Sequence, residues 1–560
     1  MKRISCFFHT RHAFVLLVAL WVLTLVGIQS IPLETHEAFV LATAQEMKTS
    51  GDWILPRFNN EPRLKKPPLN YWATLLVSAV DPVNSDVQIY HGRIVSLLAA
   101  LMMVLLTAKT GEKLYGKEAG LLAALFLMCT SGLLNYSHNA KPDVLYAAFC
   151  TLQLFAWMDA WKAEDASPRQ KRDALLGWAA AGLATLTKGP QVPAVFLLGL
   201  LAFLVAGQDR RRVLNILRPL GGTFVFCLLV LPWWILLQHR LQALGVDFAD
   251  SQLSGSLLRT IVGWKELLSL FYLWGPVVEM LPVSLLLVIL TPHLIKKRPV
   301  MQPSIKLLVY VSITMLVLFT FVGQYRKHYI LPLLPVFSLF IADSLQFIRF
   351  RGINKHGICC LCAAGFAGAV ICAGFMILDK AYGVLLLFSA LSLATAFILK
   401  QELSSDFRES SAFTKQLVLI TSALTLLGAG YHAYQPGTKW RTAEQEFKKQ
   451  AGELISSNDQ LVCWKTSVNV LPYFVKQSVC AFTDQENLTS YLADNQNRHP
   501  VFAIIPATEL SSFSGLFENQ ILRTATNKKE KKKSLCLVKI QDIRGYPPSK
   551  NPNQRVLVPK

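Results

Sequence analysis

The first polar segment of the chain, at about 31–90, begins with carboxylates and an imidazole beside a long apolar stretch. These residues are Glu34, His36 and Glu37. A carboxylate in this position can act as a general base towards an acceptor hydroxyl, or it can help to hold a divalent cation. It can equally be a first-turn helix acid that the helix dipole stabilises. The residues alone leave these roles open.

The same segment continues with a basic cluster. Arg57, Arg63, Lys65 and Lys66 stand before a double proline that leads to a Tyr-Trp pair. Cations beside aromatic side chains at a membrane surface suit the phosphate or pyrophosphate of an anionic lipid. Anchoring to lipid headgroups without catalysis accounts for the same cluster.

Three further sites place ionisable side chains beside apolar stretches. They are Lys141 with Asp143, Lys188 in a Lys-Gly-Pro turn, and the group Arg326, Lys327, His328 and Tyr329. An acid at the mouth of a membrane span is a functional candidate by default, although Asp143 equally suits the first turn of a helix. A lysine at the end of a span can extend its side chain until the ammonium group reaches the headgroup region. This accounts for any single lysine, but it accounts less well for cations that recur at the ends of several spans.

The elements that must hold these residues are membrane helices. Of the 560 residues, 52% are hydrophobic, and apolar runs recur at lengths that suit a bilayer span of about 20 residues. The fold class is therefore predicted as an α-helical polytopic membrane protein. Hydropathy predicts about thirteen spans, at 12–30, 91–111, 119–134, 143–161, 173–187, 191–206, 219–238, 280–296, 305–322, 328–346, 357–378, 380–399 and 415–433.

Lysine and arginine residues between the spans set the predicted orientation. With a cytoplasmic N-terminus, every even-numbered span ends on a basic cluster, as the positive-inside rule requires. Merging the fifth and sixth spans, which only Lys188, Gly189 and Pro190 separate, would destroy this pattern. An odd number of spans puts the C-terminal tail outside the cytoplasm. The protein is thus predicted in the bacterial inner membrane with a periplasmic C-terminal tail.

The predicted division is a transmembrane domain at 1–434, with external segments at about 31–90 and 239–279, and a small C-terminal α/β domain at 435–560. In the tail, Gln460 to Cys463 and Pro500 to Ile505 have the pattern of strands, and Thr442 to Ile455 has that of a helix. Cys463, Cys480 and Cys536 also lie there. Two of them would pair in an oxidising compartment, or all three remain thiols.

Charge and motifs exclude other classes of protein. The net charge is +21, but its cations fall in short clusters between apolar runs, which suits lipid headgroups and topology rather than nucleic acid. The sequence contains no phosphate-binding Gly-rich loop, dinucleotide fingerprint, Gly-x-Ser-x-Gly elbow or metal-spaced histidine pair. ATP-driven pumping is therefore unsupported.

The stretch HEAFVLATAQEMKTSGDWILPRFNNEPRLKKPPLNYW (His36 to Trp72) resembles the first external loop of bacterial GT-C glycosyltransferases. That family includes the aminoarabinose transferases of lipid A and relatives of the protein O-mannosyltransferases. Further matches to its pattern are Lys141-Pro142-Asp143, Thr187-Lys188-Gly189-Pro190, Pro232-Trp233 and Tyr329-Ile330-Leu331-Pro332-Leu333-Leu334-Pro335.

The resemblance implies a polyprenyl-phosphate-linked sugar as donor and no certain cofactor, with a divalent metal left open. It makes Lys66 the ligand of the donor phosphate, with helpers at Arg57, Lys188, Arg326, Lys327 and Tyr329. It makes Glu37 and Asp143 the functional acids. Two positions depart from the family pattern, because His36 replaces the usual aspartate and Lys65 replaces a glutamate. His36 is therefore a third catalytic candidate.

Two alternatives from other classes remain open from the sequence. A lipid or polyprenyl-phosphate translocase would also need many spans, but its polar residues should line a path at mid-membrane depth. A catalytically inactive relative would account for the changes at His36 and Lys65. For a transferase, the acceptor is an envelope glycolipid like lipid A, a glycan or a protein.

The predicted orientation can be measured directly. We expect cysteines introduced at His36 and Lys66 to react with a membrane-impermeant maleimide added from the periplasmic side, because both positions follow an outward-going first span. A cysteine introduced at Arg211, in a predicted cytoplasmic connection, is the matched control and should react only after permeabilisation. Labelling of positions 36 or 66 from the cytosol alone would invalidate the topology.

Overall fold

The computed structural model describes residues 32–207, 210–246, 271–280, 283–284, 302–322, 326–347, 438–456, 458–466, 468, 470–495, 500–525 and 534–543. They form two compact units. Among the described residues, the first unit comprises 52–55 and 64–347, and the second comprises 32–51, 56–63 and 438–543. The spans predicted at 12–30, 357–378, 380–399 and 415–433 lie outside the described residues. Most of the span predicted at 280–296 and most of the external segment predicted at 239–279 lie outside them as well.

The described part of the chain is mostly helical. Its α-helices are α1 (Thr35–Ser50), α2 (Leu69–Ala79), α3 (Ile89–Tyr115), α4 (Lys117–Cys129), α5 (Ser131–Ser137), α6 (Asp143–Lys162), α7 (Pro168–Lys188), α8 (Gln191–Gly207), α9 (Arg210–Leu217), α10 (Pro219–Ala243), α11 (Phe271–Glu279), α12 (Pro303–Val322), α13 (Leu334–Phe347), α14 (Thr438–Leu454), α15 (Leu471–Val475), α16 (Gln485–Asn495) and α17 (Leu510–Leu516). Its strands are β1 (Arg57–Phe58), β2 (Glu61–Pro62), β3 (Gln460–Trp464), β4 (Cys480–Phe482), β5 (Val501–Pro506), β6 (Phe517–Ala525) and β7 (Leu535–Ile543).

Within the described residues of the first unit, four helical stretches are long and apolar enough to cross a membrane. They are Ile89–Tyr115, Asp143–Lys162, Arg211–Ala243 and Pro303–Phe321. Helix α6 packs against α3, α7, α8 and α12, and its side chains join the largest hydrophobic cluster of the unit. The expected class of helical membrane protein is confirmed, while the count of thirteen spans stays a prediction.

The span predicted at 119–134 is broken in the structure. Helices α4 and α5 meet at an angle of 60°. Thr130 lies between them with an extended backbone, and its side-chain hydroxyl accepts a hydrogen bond from the Leu133 amide. A threonine that caps the second helix competes with continuation of the first. A bent pair of helices therefore replaces the predicted single span.

The predicted break between the fifth and sixth spans is confirmed. Helix α7 ends at Lys188 and α8 begins at Gln191. Gly189 has φ +119°, which L side chains rarely adopt, and Pro190 has no amide hydrogen to continue the helix. Lys188 is thus the last helical residue before a turn that the local sequence specifies.

The second unit contains a five-stranded mixed sheet in the order β4-β3-β5-β7-β6. Strand β3 runs parallel to β4 and β5, whereas β7 runs antiparallel to β5 and β6. Apolar clusters cover both faces of the sheet. Helix α1 and the hairpin of β1 and β2 come from the first polar segment of the sequence but belong to this unit.

The three cysteines of the C-terminal sheet are free thiols. Cys463 packs in the cluster on one face, while Cys480 and Cys536 pack with the cluster on the other. Cys480 and Cys536 lie on β4 and β7, which β3 and β5 separate, so they are several strand spacings apart and out of disulfide reach. Burial raises the pKa of the Cys463 thiol to about 12.

The close packing of α6 on α7 is tested at Gly177. A Cβ atom there would lie 2.2 Å from the Trp157 indole, so we expect Gly177→Ala to destabilise the protein by about 1–3 kcal/mol through overpacking. At Gly221, also in a helix, the nearest atom to a Cβ is 3.5 Å away. Gly221→Ala should therefore be neutral or stabilising by roughly 0.5–1 kcal/mol. Thermal unfolding in one detergent compares the two variants, and equal melting temperatures would contradict this packing.

Candidate active site

The centre of the candidate site is an ion pair between Asp143 and Lys188. Asp143 is the first residue of α6 and Lys188 is the last residue of α7. Their side chains are 9% and 4% exposed, so both charges have left water. Removing two charges from water is costly unless they are paired. The two residues are therefore held together by their burial.

Two tyrosines line the ammonium group of Lys188. Its Nζ lies 4.9 Å from the centre of the Tyr329 ring and 5.7 Å from that of Tyr146. The electron-rich faces of aromatic rings attract a cation at such distances. The Tyr146 hydroxyl also accepts a hydrogen bond of 3.0 Å from the Val192 amide, which connects α6 to the start of α8.

The short 3₁₀ turn at Lys327–Tyr329 adds an imidazole to the pair. His328 Nδ1 lies 3.9 Å from Asp143 Oδ1. Lys66, Lys188 and Arg326 are all close enough to influence the His328 imidazole electrostatically. The structure thus brings together Asp143, Lys188 and the Arg326–Tyr329 group, and it places Lys66 in their electrostatic range. Arg326 and Lys327 are exposed, whereas Tyr329 is buried.

Glu279 is a buried acid near this group that the sequence analysis missed. It lies at the end of α11 with its side chain 5% exposed, and its Oε1 is 3.9 Å from Lys327 Nζ. The sequence does mark Glu279, because it is a lone acid in the apolar run FYLWGPVVEML. The rule that selected Asp143, an acid at the edge of an apolar stretch, selects it as well.

The remaining predicted residues belong to the second unit. Glu37 is buried, and its Oε2 accepts a hydrogen bond of 2.9 Å from the Glu34 amide in a capping box at the start of α1. Glu37 therefore acts as an acid in the first turn of a helix, which is one of the roles that the sequence left open. His36 is exposed. Arg57 lies on β1 and donates a hydrogen bond from its Nη1 to the Asn60 carbonyl at 3.4 Å.

Several residues of the first-loop pattern shape the backbone. Asp52 Oδ1 accepts hydrogen bonds from the amides of Ile54 and Leu55 at 3.1 and 3.2 Å. The indole of Trp72 donates to the Trp53 carbonyl at 2.9 Å, and that of Trp233 donates to the Ile54 carbonyl at 3.0 Å. The family-like Gly-Asp-Trp and Tyr-Trp sequences therefore anchor residues 52–55 in the first unit, close in sequence to Lys66.

A second acid, Asp81, fixes the end of this loop on α3. Its carboxylate accepts hydrogen bonds from the Tyr90 hydroxyl, the Val83 amide and the His91 imidazole. These donors hold the pKa of Asp81 well below its ordinary value. The His91 Nδ1 accepts from the Gln88 amide at 2.9 Å, so its Nε2 carries the proton that Asp81 accepts. The cluster is a structural clamp rather than a set of reactive groups.

The described part of the chain contains no ready-made cluster of metal ligands. No group of three or more His, Cys, Asp or Glu side chains is arranged there to hold a metal ion. Within these residues, the positive charge at the Asp143 carboxylate is supplied by Lys188, with Lys141 and His328 also acting on it electrostatically.

Parts of the chain are similar in sequence to known glycosyltransferases. The family described as dolichyl-phosphate-mannose-protein mannosyltransferase matches residues 65–236, which include Lys66, Asp143 and Lys188. An uncharacterised protein of Aquifex aeolicus is 28% identical over 321 residues, covering 56% of this chain and 59% of that protein. The undecaprenyl phosphate-alpha-4-amino-4-deoxy-L-arabinose arabinosyl transferase 2 of Pseudomonas fluorescens is 32% identical over 181 residues, covering 31% of this chain and 28% of that protein.

The fold is similar to that of a solved enzyme. The crystal structure of ArnT from Cupriavidus metallidurans bound to undecaprenyl phosphate matches with a TM-score of 0.71 at 17% identity, covering 94% of this chain and 97% of that one. The resemblance to bacterial GT-C glycosyltransferases is confirmed. This chain has the GT-C fold, and its alignments to the curated relatives named above cover 59% and 28% of their lengths.

The buried ion pair between Asp143 and Lys188 is tested by a double-mutant cycle. Lys188→Met leaves the Asp143 carboxylate buried without its partner, and we expect a loss of about 3–5 kcal/mol of stability. Adding Asp143→Asn removes the uncompensated charge, so the double variant should melt at a higher temperature than Lys188→Met. Thermal unfolding of the four proteins measures the coupling. Additive effects would show that the two charges do not depend on each other.

Proposed function

We propose that this chain is a membrane glycosyltransferase that moves a sugar from a polyprenyl-phosphate donor to an envelope acceptor on the periplasmic face. The acceptor is a glycolipid like lipid A, a glycan or a protein. The observation that carries the proposal is the buried Asp143–Lys188 pair with further cations around it. Two carboxylates, Asp143 and Glu279, lie among more numerous cations, and the resulting excess of positive charge suits an anionic donor.

The donor phosphate is the group that these cations are suited to bind. Lys66 is half-buried and is the proposed phosphate ligand, with Lys188, Arg326, Lys327 and Tyr329 as helpers. Negative charge builds on the phosphate as the sugar departs. Fixed cations in a site that excludes water stabilise such charge strongly, and this stabilisation usually contributes more to catalysis than any other effect. Arg57, which lies in the second unit, is the weakest of the proposed helpers because its side chain bonds the hairpin turn.

Two carboxylates, Asp143 and Glu37, are candidates for the general base. Asp143 is engaged by Lys188, and a carboxylate stabilised by an ion pair is a poor proton acceptor. Its contacts favour a role in orienting Lys188 and His328. Glu37 is then the other candidate for the general base, and its Oε2 also caps the first turn of α1. The transition state would be oxocarbenium-like, by analogy with glycoside hydrolysis, and a single displacement would invert the anomeric centre.

Substitution of Lys66 tests the assignment of the donor site. We expect Lys66→Ala to abolish sugar transfer while membrane insertion stays intact, because the phosphate loses its principal counter-charge. Lys65→Ala is the matched control, since Lys65 is its exposed neighbour, and it should retain most activity. The measurement is release of polyprenyl phosphate from a synthetic polyprenyl-phosphate sugar by purified protein. Unchanged turnover in Lys66→Ala would refute the phosphate assignment.

The same assay separates the acid–base candidates. Glu37→Gln should lower turnover on the order of a hundredfold if Glu37 is the base, and Asp143→Asn should do the same if Asp143 is the base. Mild effects of both would move the base elsewhere, to His36 first. Mass spectrometry of envelope glycolipids with and without the protein would identify the acceptor.

A further inference from the structure

The side chain of Asn59 bonds the edge of the C-terminal sheet as a neighbouring strand would. Its Nδ2 donates to the Val479 carbonyl at 2.9 Å, and its Oδ1 accepts from the Val479 amide at 2.7 Å. Val479 precedes β4, which is the outermost strand on that side of the sheet. The amide and carbonyl of an edge strand need partners. One asparagine, 420 positions earlier in the chain, supplies both.

Glu46 connects the same turn to α1. Its two carboxylate oxygens accept hydrogen bonds from the amides of Asn59 and Asn60 at 2.6 and 3.1 Å. Both asparagines have positive φ, of 58° and 65°, as a tight hairpin turn between β1 and β2 requires. Bonds to an ionised acceptor are roughly twice as strong as neutral ones. Glu46 therefore fixes the turn that presents the Asn59 side chain.

Aromatic packing joins the hairpin to α1 a second time. The rings of Phe39 and Phe58 meet edge to face with centroids 4.8 Å apart. The Arg63 guanidinium lies 4.3 Å above the Phe39 ring and 5.7 Å from that of Phe58. Helix α1 also packs against α15 of the C-terminal part of the chain. These contacts connect α1 to the hairpin, and the hairpin is connected to the sheet edge through Asn59.

Glu37 lies nine positions before Glu46 on α1, about 14 Å away along the axis of a rigid helix. Since a helix transmits position along its length, whatever holds Glu46 also holds Glu37. The connection gives Glu46 of the Glu-Met part and Asn59 of the Pro-Arg-x-Asn part a role in the attachment of α1.

We propose that Asn59 and Glu46 are positioning residues through which the C-terminal sheet holds α1, and with it the carboxylate of Glu37. The inference rests on the proposed function for the role of Glu37, but not for the attachment itself.

Asn59→Gly tests the inference in the full-length protein, with Asn60→Gly as matched control. Glycine adopts positive φ without steric cost, so both variants keep the turn, and only the first loses the bonds to Val479. By hydrogen–deuterium exchange in nanodiscs, we expect Asn59→Gly to speed exchange in residues 34–50 and 479–482. Asn60→Gly should exchange like the wild type. Unchanged exchange in Asn59→Gly overturns the inference, whatever the activity.

Kinetics give a second, distinguishable readout. We expect Asn59→Gly to lower kcat about tenfold or more, as displacement of a positioned group does, with the KM for the donor unchanged because Lys66 is not altered. Glu37→Gln, measured in parallel, should also lower kcat. Loss of activity in Glu37→Gln with full kcat in Asn59→Gly would overturn the positioning role alone. Absence of transfer by the wild type would refute the proposed function, and the exchange data would still decide the attachment.

Discussion

The buried ion pair between Asp143 and Lys188 is the constraint on which the first unit depends. It joins the first residue of α6 to the last residue of α7, at the place where Gly189 turns the chain into α8. An unpaired charge at this depth would cost several kcal/mol. The helices must therefore keep their ends in register, and the aromatic rings and His328 pack around a pair that cannot move apart cheaply.

The same pair gives the site its electrostatic character. Asp143 pairs with Lys188, while Lys66 and Arg326 also act on the His328 imidazole. In the proposed function, this positive charge would be in place before the donor phosphate binds. Little reorganisation would then be needed during the reaction, which is the physical basis of electrostatic catalysis. Glu279, beside Lys327, extends this network by one more buried acid.

The first polar segment serves two folding units at once. Residues 52–55 belong to the first unit, and residues 32–51 and 56–63 belong to the second. Trp72 and Trp233 hold the backbone of the first portion, while Glu46 and Asn59 hold the second. Successive stretches of this continuous family-like sequence therefore have structural roles in different units, and they do not form a single binding surface.

Local patterns in the sequence predicted some features well. The Lys-Gly-Pro turn after α7 follows from the backbone preferences of glycine and proline, and the strands β3 and β5 lie where the tail has a strand pattern. The break at Thr130 and the free thiols of Cys463, Cys480 and Cys536 did not follow. A capping hydroxyl is a weak local signal inside an apolar run, and the pairing of cysteines depends on which face and strand of a sheet they occupy.

The sequence by itself determined the class of protein and its apolar helices, and it predicted the residues with the chemistry to bind an anionic donor, because hydropathy, charge and local motifs are properties of short segments. Tertiary structure alone decided that Asp143 and Lys188, 45 positions apart, form a buried pair, that His328 joins them and that Asn59 bonds Val479. These contacts arise from packing between distant segments. The burial of a group and the identity of its bonding partner set its charge and position, and neither is encoded in a single segment of the sequence.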